Sequence, residues 1–244
     1  MNITAIIPAR SGSKRIPNKN VKELNGMPLV AHTIIAASVC KTQHILDRVV
    51  VTSDSEEVAK ITWGYENAEF LQRPPELCDD AVTDFPVIHH AVCELDLSGL
   101  IVYLRPTTPI RALYHIEEAI KTISRIELAT GLRSVELMSE SAFKCFTISM
   151  FKKLEPVFYT TDEAEFFDMT DKPNQLVEPT YKPNGYVDIA RTEQILAGQL
   201  WGDQVIGYIT PRTVEIDTID DWEYAAWMMG RHVEQNLRFG RENT

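Results

Sequence analysis

Arg10, Ser11, Gly12, Ser13, Lys14, Arg15, Lys19 and Asn20 follow directly on the apolar run Ile3 to Ala9. A lone glycine between serines lets backbone N–H groups approach a ligand closely, and the guanidinium and ammonium groups add charge-assisted donors. Cations gathered in a loop at the end of a buried strand call for an anion, and the chemistry suits a phosphate chain. The loop fits neither the Walker pattern nor the three-glycine dinucleotide fingerprint, because it holds a single glycine. A solvated basic turn is the plainer alternative. The second constellation is Glu215-Ile216-Asp217-Thr218. In an extended segment residues i and i+2 share a side, so both carboxylates face one way while the isoleucine enters the core. Paired hard oxygens suit Mg²⁺, which enzymes hold with one or two carboxylates plus phosphate oxygens. The plainer alternative is that Asp217-Thr218 opens the cap of the last helix.

Elements must hold these groups in place. Ile3–Ala9 reads as a buried strand, Pro28 to Val39 as a helix with proline near its first turn, and Asp47–Ser53 as a second buried strand. Asp54-Ser55-Glu56-Glu57 supplies a cap and an acidic first turn for the next helix, followed by a short strand near Ala68–Leu71. Thr83–Leu97 is expected as a helix, Leu100–Leu104 as a strand, Ala112–Ser124 as a helix and Leu128–Val135 as a strand. Between them, the prolines of Arg105-Pro106-Thr107-Thr108-Pro109-Ile110-Arg111 force a rigid loop. The alternation predicts an α/β fold, a mostly parallel Rossmann-like sheet with helices on both faces. Ligands of open α/β sheets sit beyond the carboxyl ends of strands, so loops 10–20, 73–84 and 105–111 should face one crevice.

From about Ser139 the period is lost: Phe143–Phe151 and Phe158 to Pro179 are aromatic, acidic and rich in turns. This segment is expected as a small protruding region, about 139–184, that meets a second subunit or forms a local core. Gly185–Ala190 and Val205–Thr210 read as strands, Thr192–Gly198 as a helix and Ile219–Leu237 as an amphipathic closing helix whose apolar face carries Trp222, Tyr224, Trp227, Met228 and Met229. Residues 1–244 are otherwise expected as one domain.

A formal net charge of −11 argues against a nucleic-acid partner, which demands a broad basic surface. The cations of the first loop are a local exception, and a concave site has its own field. The cysteines Cys40, Cys78, Cys93 and Cys145 form no C-x-x-C pair, and no secretory leader is read. A reducing, cytoplasmic location is expected. No segment approaches the roughly 18 apolar residues of a membrane span. His89-His90 reads as a helix pair, Cys78 as structural, and no zinc site is assigned.

Five segments in register, IIPARSGSKRIPNKN, RPPELCDDAVTD, LRPTTPIR, YKPNG and EIDT, resemble the motifs of the acylneuraminate cytidylyltransferases over nearly the whole chain. The resemblance implies transfer of CMP from CTP to a nonulosonate, an acidic α-keto sugar, with Mg²⁺ and release of pyrophosphate. It implies that Arg10, Ser11, Gly12, Ser13, Lys14, Asn20, Arg73 and Asp80 bind nucleotide, with Arg10, Lys14 and Asp217 catalytic. It places Glu215 and Asp217 on the metal and Lys144 and Asn184 on the sugar. It also implies a homodimer, in which Phe143–Asp171 reaches toward the partner. Three departures from the family's pattern matter. Arg105 stands where the family usually has glutamine, and Arg133 where small or apolar residues are common, both adding positive charge. Asp188 replaces a sugar-facing tyrosine, and Glu215 replaces an aspartate. These changes favour an acceptor other than N-acetylneuraminate, such as legionaminate. The alternatives are a related nucleotidyltransferase acting on 3-deoxy-octulosonate, a phosphonate or a sugar phosphate, and a catalytically silent nucleotide-binding module.

Overall fold

The N-terminal apolar run forms β1 (Ile3–Pro8), an interior strand of a seven-stranded sheet. A short hairpin, β2 (Glu23–Leu24) and β3 (Met27–Pro28), leads into α1 (Leu29–Thr42). Then follow β4 (Arg48–Ser53), α2 (Glu56–Trp63), β5 (Glu69–Gln72), α3 (Asp84–Glu94), β6 (Leu100–Tyr103), α4 (Leu113–Arg125) and β7 (Gly131–Leu137). After β8 (Phe146–Ile148) and β9 (Leu154–Pro156), the chain continues through β10 (Tyr181–Arg191), α5 (Thr192–Leu196), β11 (Val205–Ile209) and α6 (Ile219–Arg241). The computed structural model describes residues 1–158 and 170–241, with side chains of the last helix through Arg231.

The strand order is β11-β7-β10-β6-β1-β4-β5. β1 pairs in parallel with β4 and β6, and β4 in parallel with β5, whereas β10 runs antiparallel to β6. Parallel neighbours need crossovers, and α1, α2 and α3 supply them. Burial on both faces explains the continuous apolar runs of β1, β4 and β6. One face packs Ala5, Ile7, Val49 and Val51 against Ile34 and Ala37 of α1 and Ile116 and Ile120 of α4. The other packs Ile6, Val50 and Ile101 against Ile88 and Ala91 of α3. A third cluster joins Ile16, Leu24 and Leu29 to Val214, Ile216, Trp222 and Ala225. It staples the basic loop to the acidic segment although they lie some two hundred residues apart in sequence.

Several expectations shift. The β2–β3 hairpin was not anticipated, although Asn25 (φ 51°) and Gly26 (φ 80°) carry the Asn-Gly signature of a tight hairpin turn. β7 begins three residues later than Leu128, after a turn in which Ala129 N–H donates to Ile126 O. β10 starts at Tyr181, extending the expected strand back through the Lys-Pro-Asn-Gly run. On α6, Trp222 is buried with Ala225, Ala226 and Met229, at helical spacing on one face. Tyr224 and Trp227 are half-exposed on another, stacked at 5.7 Å and 22°. The expected apolar face therefore carries only part of its aromatic set.

The chain divides into two compact units, Met1–Ser134 with Asn184–Thr244, and Val135–Pro183. The second contains the β8–β9 hairpin, whose connecting residues Met150 and Phe151 are exposed, as is Ile148. Of the expected Phe158 to Pro179 stretch, 159–169 lie outside the described residues. Among the described residues no helix is long and apolar enough to cross a membrane.

Candidate active site

The carboxyl ends of β1, β5 and β6 deliver three loops to one crevice. A cavity of about 240 Å³ is lined by Arg10, Ser13, Lys19 and Asn20 from the first loop, Arg73, Leu77 and Asp79 from the second, and Arg105, Pro106 and Thr107 from the third. A further cavity of about 400 Å³ is lined by Arg10, Ser13, Lys14, Arg15, Lys19, Asp80 and Asp217. Arg10 lines both.

Each cation of this second cavity has a carboxylate. Asp80 takes Arg10 through Oδ1 and Lys14 through Oδ2, the latter at 2.5 Å. The Lys14 contact holds the Asp80 carboxyl below its ordinary pKa, and Asp80 raises that of Lys14. Asp217 meets Lys19 at 3.3 Å and Arg15 at 3.4 Å. Lys19 also donates to Ile216 O at 2.7 Å, so a cation of the first loop grips the backbone of the acidic segment.

The loop's shape is set by neighbours. Asp54, just beyond β4, accepts the Ser11 N–H at 2.8 Å and the Ser11 hydroxyl at 2.5 Å. Both Ser11 donors are thereby committed inside the protein. Asp54 was missed in the sequence, where it reads only as the approach to a helix cap; its position at a strand end was the available signal. Asn20 Nδ2 donates to Arg10 O at 2.9 Å, bracing the loop across its width. A Cβ at Gly12 would meet nothing within 4 Å, which leaves open space over the backbone for a ligand.

In the acidic segment, Ile216 is fully buried and its N–H donates to Thr107 O at 2.7 Å, tying the segment to the third loop. Thr218 caps α6: its hydroxyl accepts from Asp221 N, and Asp221 Oδ2 accepts from Thr218 N at 2.8 Å. The cap is thus made by Thr218 and Asp221, leaving the Asp217 carboxylate to the crevice. Glu215 is exposed and its carboxylate forms no hydrogen bond or ion pair among the described residues. The surrounding protein nevertheless raises its pKa, chiefly by partial desolvation and also through Asp217, against the opposing pull of Arg105 and Lys19. An uncommitted carboxylate beside a second one fits a hard divalent cation shared with phosphate oxygens.

The sugar-side expectations need correction. Asp188 is fully buried, and its carboxylate is engaged by neighbours within the protein. Its Oδ2 accepts from Arg105 NH1 at 2.6 Å, Arg133 stands 3.7 Å away, and Oδ1 accepts the Ser134 N–H at 3.1 Å. Arg105 also donates to Asp84 Oδ2 at 2.7 Å, while the Tyr103 hydroxyl donates to Asp84 Oδ1 at 2.8 Å. Two arginines therefore meet two carboxylates, and the added positive charge expected of Arg105 and Arg133 is offset inside the protein. Two of the departures, Arg105 and Asp188, are one ion pair. Gly185 (φ 62°) makes room for it, since a Cβ there would come within 3.3 Å of Arg105 Cδ.

Asn184 is buried too, donating to Thr210 Oγ1 at 2.7 Å and accepting from Tyr186 N–H at 3.3 Å, so it shapes the turn. Arg73 is buried at the crevice wall, where NH2 donates to Thr52 O at 2.9 Å and Nε has no hydrogen-bond partner among the described residues. Cys78 donates its thiol to Pro74 O, and burial pushes its pKa up, as befits an inert structural cysteine. Lys144 belongs to the Val135–Pro183 unit, where it is half-buried and its ammonium donates to Lys172 O.

The sequence pattern of the cytidylyltransferases matches residues 4–197. The chain belongs to the cytidylyltransferase family. Within it, the chain is 32% identical over 238 residues to the N-acylneuraminate cytidylyltransferase of Escherichia coli, covering 96% of this chain but 54% of that relative. It is 30% identical to the CMP-N,N'-diacetyllegionaminic acid synthase of Legionella pneumophila, covering 94% of this chain and 97% of that one. This cytidylyltransferase thus spans about half the length of the first relative and nearly all of the second. Its fold matches that of CMP:2-keto-3-deoxy-manno-octonic acid synthetase complexed with CTP, with a TM-score of 0.70 at 13% identity, over 95% of this chain and 100% of that one.

Proposed function

We propose that this cytidylyltransferase transfers CMP from CTP to the anomeric hydroxyl of a nonulosonate, releasing pyrophosphate. The observation that carries the reading is the convergence of three strand-end loops on a crevice where Arg10, Lys14, Arg15 and Lys19 face the same cavity as Asp217. The names of the Escherichia coli and Legionella relatives support the nonulosonate class of acceptor. The Legionella relative's name favours a legionaminate-like sugar over N-acetylneuraminate.

In this reaction the anomeric oxygen attacks the α-phosphorus in line. A new P–O bond forms, the bond to the bridging oxygen breaks, and pyrophosphate leaves with the electron pair as the hydroxyl proton is lost. Arg10 and Lys14 neutralise charge gathering on the phosphate oxygens. Asn20 and Lys19 hold the loop and the acidic segment in register, so these donors are placed before the ligand arrives. Glu215 and Asp217 would hold Mg²⁺, which when bound supplies further charge neutralisation on the phosphates. Lys144 is kept as a sugar contact on its motif alone. The exposed Ile148, Met150 and Phe151 are read as part of a homodimer surface, which sedimentation would test. The location is read as cytoplasmic.

The deciding experiment is Mg²⁺-dependent pyrophosphate release from CTP with N-acetylneuraminate, legionaminate, pseudaminate and 3-deoxy-octulosonate, each against a blank without sugar. Highest specificity with legionaminate is expected. Release only with 3-deoxy-octulosonate would move the acceptor class, and silence with CTP binding intact would leave only the nucleotide half.

Glu215 makes a pH-dependent prediction. Its folded pKa lies above the ordinary 4.5, so its contribution to stability is present below that value and lost as pH rises through the raised pKa. A bound cation reverses this by favouring the ionised form. The thermal stabilisation by Mg²⁺ with CTP should therefore shrink on acidification through the raised pKa. Glu215→Gln should weaken Mg²⁺ binding about 10- to 100-fold, the size of one charged contact, and remove that pH dependence. An unchanged Mg²⁺ titration in the variant would take Glu215 off the metal.

A further inference from the structure

We propose that Asp80 is a competing anion: it holds the phosphate clamp closed on itself, gives up Arg10 and Lys14 to an arriving phosphate chain, and recaptures them as pyrophosphate departs. The proposal rests on the phosphate-clamp reading above.

The geometry is specific. One carboxylate spends its two oxygens on two different cations of the basic loop, Oδ1 on Arg10 and Oδ2 on Lys14. Those are the donors a phosphate chain needs, and a carboxylate cannot itself bind phosphate, because the two repel. The neighbouring Asp79 spends its Oδ1 on the Ala81 N–H at 2.8 Å, whereas Asp80 is in direct contact with both cations. Asp217 meets Lys19 and Arg15 in the same cavity, but at 3.3 and 3.4 Å rather than 2.5 Å, so the tighter grip is that of Asp80. Both members of the Asp80–Lys14 contact reach solvent, and ion pairs so screened are weak. A ligand carrying several charges can therefore displace the carboxylate. When pyrophosphate leaves, the same carboxylate returns to the cations and opposes rebinding.

The sign of the effect separates this from a structural role. A residue that positioned Arg10 and Lys14 for phosphate would weaken binding when neutralised, whereas a competitor strengthens it. Calorimetry with inorganic tripolyphosphate and pyrophosphate should show Asp80→Asn binding both about tenfold tighter than wild type, the order expected when one like-charge contact is removed from a partly screened site. Asp80→Ser should move the same way, and pyrophosphate should inhibit turnover of both variants at correspondingly lower concentration. Unchanged or weaker binding in both, with wild-type binding abolished by Lys14→Ala, would overturn the proposal and make Asp80 a positioning residue. If Lys14→Ala binds tripolyphosphate as wild type does, the phosphate-clamp reading itself fails.

Discussion

Arg10→Met is expected to lower kcat/KM for pyrophosphate release about 10²- to 10³-fold, the cost of removing one charged donor from a preorganised anion site. Arg10 follows β1, lines both cavities of the crevice, is braced through its carbonyl by Asn20, and pairs through its guanidinium with Asp80. The alternative cause of lost activity, unfolding, is small by magnitude. The Arg10–Asp80 pair reaches solvent on both sides, and ion pairs so screened add little to stability. A Tm close to wild type with turnover collapsed therefore assigns the effect to the reaction. Turnover within a few-fold of wild type would remove Arg10 from the phosphate clamp.

The second large effect is on stability. Arg105→Gln leaves the fully buried Asp188 without its closest cation, and breaking a buried ion pair from one side costs about 3–5 kcal/mol. Arg133, at 3.7 Å, is too far to replace a contact at 2.6 Å. Removing the stranded charge as well should recover much of the loss, so Arg105→Gln with Asp188→Asn is expected to be more stable than Arg105→Gln alone. Denaturant midpoints of the four members of this cycle give the coupling directly. Additive single and double variants would show that the two residues do not depend on each other.

The basic loop and the acidic pair were legible as charge constellations because each is local. Arg10, Lys14 and Asn20 lie on one loop after one strand, and Glu215 and Asp217 on one extended segment, so type and spacing alone expose the chemistry. The parallel core was legible for the same reason: continuous apolar runs alternating with helix caps mark β1, β4 and β6. The burial of Asp188 and Asn184 was not legible, because burial is not local. Asp188 and Asn184 are charged and polar types in a segment whose neighbours, Tyr186 to Ala190, are all buried, and a polar residue in such a run is either a contact or a satisfied strut. Their partners Arg105, Ser134 and Thr210 lie elsewhere in the chain, beyond any spacing rule.

The amino-acid sequence by itself determined the fold class, the basic loop and the acidic pair, because each follows from periodicity or from residue types a few positions apart, while five motifs in register carried the resemblance to the family. The tertiary structure alone decided which of those charges are free. Packing Ile16 against Ile216 brings Lys19 to Asp217, and the sheet brings Arg105 to Asp188 and the second loop's Asp80 to Lys14. A charge's role depends on the potential where it sits, and that potential is set by groups that only folding brings within a few ångströms.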